Sequence, residues 1–122
     1  MAEILSQLPS EYLMEHSPQA GAALRELRDA LVSSGPLDRR TCELIVIAGL
    51  ATEGFEDSFK VHARRLIALG ATPEEMKHAV AVTLGASSVL FQVARAITWI
   101  DELSEAAPPD SDPSDARSTA DQ

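Results

Sequence analysis

Cysteine is almost missing from this 122-residue chain, which has Cys42 alone. One thiol cannot close an intramolecular disulfide, and with no second thiol beside it Cys42 reads as a small packing residue rather than a nucleophile. Aromatic residues are scarce too, at three Phe, one Tyr and one Trp. An interior short of rings must be built from Ala, Leu, Val and Ile, which suits helix packed on helix better than a sandwich of sheets. Positive charge is in deficit, with 10 Lys and Arg against 19 Asp and Glu and a net charge of −9. Nucleic acid and anionic membrane surfaces are bound by basic faces, so neither is expected as a partner. The longest apolar run, residues 44–48 followed by Gly-Leu-Ala, is far too short to span a bilayer. The first residues lack the charged-then-apolar order of a secretory leader, and the cytoplasm is the expected compartment. Nowhere do polar and apolar residues alternate for long enough to make a strand.

What is present is helical periodicity, enough for a single all-α domain of five to six helices with short connections. Residues 1–16 are mixed, with Pro9 and a short helical turn through Glu11 to Glu15. Ser17-Pro18 offers a cap and a first-turn proline, after which Ala20, Ala23, Leu24, Leu27 and Leu31 recur at three- and four-residue spacing. Asp38 caps a third segment expected to run to about Thr52, apolar all round at Leu44-Ile45-Val46-Ile47 and therefore central or intersubunit. A fourth spans the sequence from Gly54 to Gly70, and Gly70 fits the position just past a helix end. Thr72-Pro73-Glu74-Glu75 combines a cap, a first-position proline and a glutamate three residues after the cap, so a helix must start there. That helix is expected to reach Gly85, and a last one carries Val89, Val93, Ile97, Ile100 and Leu103. The domain is thus expected over 17–105. Residues 106–122 hold four Asp, one Arg and three Pro with almost no large apolar side chain, which predicts a disordered acidic tail.

One histidine interrupts the apolar pattern. Phe55, Phe59, His62, Leu66 and Leu69 fall on a single stripe, so the His62 imidazole is expected to point into the core, with Ser58 one turn before it. On the preceding helix Glu43 shares a face with Val46, Ile47 and Leu50. An unpaired buried charge costs several kcal/mol, so two inward-facing titratable groups on adjacent helices should bond to each other or line a polar pocket. Taken alone, His62 reads as a satisfied core histidine and Glu43 as the partner of Arg39, Arg64 or Arg65; taken together they point to a site. His16 and His78 read as surface groups. Glu43, Asp57 and His62 form the one plausible metal set, and neither a metal nor another cofactor is expected. Arg64, Arg65 and Arg95 are candidates to hold a substrate carboxylate.

Residues 37–103 resemble the carboxymuconolactone decarboxylase superfamily, which includes the alkylhydroperoxidase D proteins. The resemblance lies in LDRRTCELIVIAGLATEG, in the following helix with its histidine, and in ALGATPEEMKHAVAVTLGASSVLFQVARAI. Gly70-Ala-Thr-Pro-Glu-Glu is similar to the family's Gly-x-Thr-x-Glu-Glu turn, and the spacing from Glu43 to His62 matches the glutamate-to-histidine spacing of the peroxidase branch. In that branch a Cys-x-x-Cys pair precedes the histidine, and here those positions are Phe55 and Ser58. Peroxide reduction of that type needs one thiolate to attack and a second thiol to resolve the sulfenic acid, so it is disfavoured.

The resemblance therefore implies the other branch, with cofactor-free acid/base chemistry of the decarboxylase or isomerase type on a small carboxylate or lactone. The candidate set is His62, Glu43 and Ser58 for catalysis and Asp57, Arg65 and Phe55 for substrate binding. A non-catalytic assembly or binding protein is the third reading, favoured if the bulky Phe55 fills the former cavity. An apolar central helix exposes more surface than one small core can hide, and family members form trimers or hexamers. A homo-oligomer is the expectation, with the acidic tail dispensable for assembly.

Overall fold

The structure is a computed structural model that describes residues 9–105. Among these residues the chain is all-helical: α1 (Pro9–His16), α2 (Pro18–Ser33), α3 (Arg39–Glu53), α4 (Glu56–Ala68), α5 (Pro73–Ala81) and α6 (Leu90–Glu105). No strand is present among them, and none of these helices is long and apolar enough to cross a membrane. The expected acidic tail at 106–122 and the first eight residues lie outside the described residues. By backbone contacts the chain forms two compact units, divided within α3 between Cys42 and Glu43.

In the first unit α1 packs on α2. The Ser17 hydroxyl accepts from the Ala20 amide at 3.2 Å, and Pro18 opens the helix behind it, as the sequence predicts. Gly21 is what lets the two helices meet, because a Cβ there would lie 2.7 Å from the Met14 Cα. Asp38 accepts from the Thr41 amide at 2.8 Å, and that bond, with one from the Thr41 side chain, holds its carboxyl below the usual carboxylate range. Cys42 is half-buried, its sulfur 3.8 Å from the Leu37 carbonyl oxygen and 4.0 Å from that of Val32. His16 is exposed, as expected.

The second unit holds the core, formed by Ile47 and Ala51 of α3, Phe59, Ala63 and Leu66 of α4, Met76 and Val80 of α5, and Val93, Ala96, Trp99 and Ile100 of α6. Phe59 and Trp99 meet with centroids 5.2 Å apart and planes tilted by 57°, an arrangement that ring quadrupoles favour. The Thr72 capping box forms in full: its hydroxyl accepts from the Glu75 amide and the Glu75 carboxylate accepts from the Thr72 amide. α4 ends in a Schellman turn, with the Ala71 amide on the Leu66 carbonyl, the Gly70 amide on the Ile67 carbonyl, and Leu66 and Ala71 both in the core.

Three expectations change. α3 is not buried all round: Ile45 is 57% exposed, and the inward stripe is Glu43, Ile47 and Ala51, each four residues from the last. α5 stops at Ala81 instead of reaching Gly85, because residues 82–89 fold into a tight turn. There Thr83 donates its hydroxyl to the Val80 carbonyl at 2.7 Å and lies 2.7 Å from the Ser88 hydroxyl. Phe55 and Leu69 leave the apolar stripe, since they are the capping residues of α4 and not part of its helical turns. Both are exposed in consequence, Phe55 to 55%.

Two electrostatic clips hold α6. Lys60 of α4 bridges Glu56 at 2.9 Å and Glu102 at 2.6 Å, and Lys77 of α5 meets Asp101 at 2.7 Å. Partial burial pulls the Lys60 ammonium down, but its bonds to Glu102 and Glu56 outweigh that and raise it above the ordinary lysine value.

Replacing Thr72 by Ala is expected to cost about 1 kcal/mol in urea unfolding, from loss of the cap. Because the Lys60 value is raised on folding, its bridge is fully present below the unfolded lysine value of 10.5 and is lost as pH rises through the folded one. The stability difference between the wild type and Lys60→Gln, followed by urea titration at a series of pH values, should therefore shrink above about pH 10.5.

Candidate functional site

α3 and α4 each carry one polar residue on an otherwise apolar inward stripe. On α3 it is Glu43, above Ile47 and Ala51; on α4 it is His62, between Phe59 and Leu66. His62 Nδ1 and Glu43 Oε1 lie 2.6 Å apart, with side chains 10% and 5% exposed. A carboxylate has no proton to give, so Nδ1–H donates to Oε1. That bond fixes the tautomer and leaves Nε2 as the ring atom free to take up or release a proton. Arg65, one turn further along α4, brings Nη1 to 3.5 Å from His62 Nδ1. Two nitrogens that both carry hydrogen do not bond, so the guanidinium acts there as a neighbouring positive charge.

The structure thus brings together His62, Glu43 and Arg65 from the sequence-derived set. Ser58 is half-buried one turn ahead of His62, and Asp57 is half-buried in the first turn of α4. Phe55 is placed outside the buried region, at the N-cap of α4. The pairing of Glu43 is with His62; Arg64 is exposed. His78 is a surface group, as its pattern predicts. Among the described residues no group of three or more His, Cys, Asp and Glu is disposed to hold a metal ion.

Arg95, which the sequence offered as a carboxylate anchor, has a structural place instead. Its guanidinium carbon stands 5.1 Å from the Phe91 ring centroid and 5.2 Å from that of Trp99, and Nη2 donates to the Ala51 carbonyl at 3.2 Å. Gln92 donates to the Thr52 carbonyl at 2.9 Å. These two residues of α6 satisfy the last carbonyls of α3, and no local pattern in the sequence announces them. Gly54 follows with φ +83°, and a Cβ there would sit 2.9 Å from Arg95 Nη2. The positive φ favours glycine at this position, and any Cβ would also require the guanidinium tip to shift.

A family model described as "Carboxymuconolactone decarboxylase family" matches residues 18–100, the larger part of the chain and all of the site. A curated relative, an uncharacterized protein of Methanocaldococcus jannaschii, is 29% identical over 92 residues, covering 75% of this chain and 86% of that protein. No solved structure matches.

Glu43→Ala leaves a buried Nδ1–H without its acceptor and is expected to cost about 1–3 kcal/mol in chemical denaturation. The same variant should lose the downfield Nδ1 proton resonance of His62 in NMR spectra, whereas Glu43→Gln, which keeps an acceptor oxygen, should retain it.

Proposed function

We propose that this chain, which belongs to the carboxymuconolactone decarboxylase family, carries out cofactor-free acid/base chemistry, of decarboxylase or isomerase type, on a small carboxylate or lactone. The observation that carries the reading is the buried 2.6 Å contact between His62 and Glu43. Glu43 orients the ring and stabilises the imidazolium once Nε2 has gained a proton. In a decarboxylation the bond from carbon to carboxyl breaks, carbon dioxide leaves, and the electron pair stays behind as an enolate. His62 Nε2, having taken up a proton from solvent, then gives it to that carbon and returns to the neutral tautomer. In an isomerisation Nε2 removes a proton from one carbon and returns it at another. Arg65 supplies the cation that orients a carboxylated substrate and offsets the enolate charge. Ser58 offers a hydroxyl to the same substrate, and Asp57 and Phe55 contact its outer part.

The thiol-peroxidase alternative lacks its reagents, because Phe55 and Ser58 stand where that branch carries its cysteine pair. The non-catalytic alternative drew on Phe55 as a plug for the cavity, and a ring that is 55% exposed at the start of α4 gives that no support. The working form proposed is a homo-oligomer of three or six copies.

His62→Ala is expected to lower turnover of carboxylated lactones by about 10²–10⁴-fold, the range for loss of a general acid/base, with helix content by circular dichroism unchanged. Arg65→Met should both raise KM, through lost orientation of the carboxylate, and lower kcat, through lost stabilisation of the enolate. Unaltered turnover in a folded His62→Ala protein would remove His62 from the chemistry.

A further inference from the structure

The turn between α5 and α6 is built around partly buried hydrogen bonds yet shows an apolar face. Val82, Leu84, Val89, Leu90 and Phe91 are between 47% and 69% exposed. The two ends of the turn are tied together: Leu84 pairs with Ser88, the Gly85 amide donates to the Ser88 carbonyl at 3.0 Å, and the Thr83 and Ser88 hydroxyls meet at 2.7 Å. Phe91 is steadied in turn by the Arg95 guanidinium below it. Side chains on both arms of the turn therefore form one patch in a fixed arrangement, and little ordering entropy is left to lose on binding.

The charge pattern says what fits this patch. The chain carries 19 Asp and Glu, yet none lies between Glu75 and Asp101, and that stretch contains Lys77 and Arg95. Two copies of a chain with net charge −9 repel over most of their surface. Within this stretch itself no carboxylate opposes their approach, although Glu53 stands beside it at the end of α3 that Gln92 holds. The magnitudes agree: five side chains at these exposures present on the order of 500 Å² of apolar surface, the size of patch that marks an interaction site. A stable pairwise contact needs about 800 Å² from each partner, of which roughly 60% is apolar. The exposed Ala81, Ala86, Ser87, Ala94 and Thr98 are of the small and polar kinds that make up a rim.

We propose that residues 82–91 form the contact through which neighbouring copies of this chain meet in the oligomer. This rests on the homo-oligomer reading above and assigns it a surface. The test is sedimentation velocity at tens of micromolar on the full chain, comparing wild type with Leu90→Glu, Val82→Glu and, as a control on the first unit, Leu27→Glu. The expected result is an assembled wild type, a shift of Leu90→Glu and Val82→Glu to species of half the mass or less with helix content retained, and no shift for Leu27→Glu. An assembled wild type whose mass is unchanged in both patch variants overturns the surface and leaves the oligomer reading standing. A monomeric wild type overturns both. Should either patch variant lose its helix content, Leu90→Ala, which adds no buried charge, must weaken self-association at least about tenfold, or the proposal fails.

Discussion

A single hydrogen bond between two buried side chains constrains much of this molecule. Glu43 and His62 each sit on a helical stripe whose other members are Ile, Ala, Phe and Leu, and each would be left without its side-chain partner if the other were removed. At 2.6 Å each satisfies the other, so the apolar stripe can continue above and below them. The price is register: α3 must present Glu43, Ile47 and Ala51 in line while α4 presents His62 between Phe59 and Leu66. A slip of one residue on either helix would separate the pair and leave two orphaned polar groups, each opposing the slip by about 1–3 kcal/mol.

That register is supported from outside the pair. The carboxyl end of α3 is held by Gln92 and Arg95 of α6, and the Gly54 turn leading into α4 lies against the same arginine. Arg95 is not fully satisfied, since its Nε is buried without a partner. Its charge is instead offset by the Phe91 and Trp99 rings and by the carbonyl end of α3, where the helix dipole favours a cation. Lys60 then joins α4 to α6 through Glu102. α6 thus braces both helices that carry the pair, although it contributes neither member.

Local chemistry made much of this legible in the sequence. The Ser17 cap, the Thr72 capping box and the Gly70 terminus depend on neighbours within five residues, and each is present as its motif predicts. Glu43 and His62 were legible as exceptions to an apolar period. Phe55 and Leu69 were not, because a stripe drawn by spacing runs past the helix ends into residues whose backbone has already left the helix. The roles of Gln92 and Arg95 depend on partners 40 and 44 residues away, and no period or motif encodes a contact of that range. α5 ended early for a related reason, as the Thr83 hydroxyl takes up a carbonyl that a longer helix would have used.

The residues ahead of His62 bear on the chemistry proposed for it. A thiol at position 55 would stand exposed at the N-cap of α4, where the helix dipole makes thiols more acidic, and one at position 58 would lie one turn from the imidazole. With phenylalanine and serine at these positions, His62 and Glu43 are the polar pair that this part of the core holds. With only 10% of the His62 side chain exposed, a reacting atom must come to a sheltered ring edge, which suits a small molecule better than a polymer. Arg65 beside the ring is itself exposed, so water screens its charge in part. A buried imidazole held by a carboxylate, with a guanidinium at its side, supplies the groups that the proposed proton transfer at a carboxylated carbon would need.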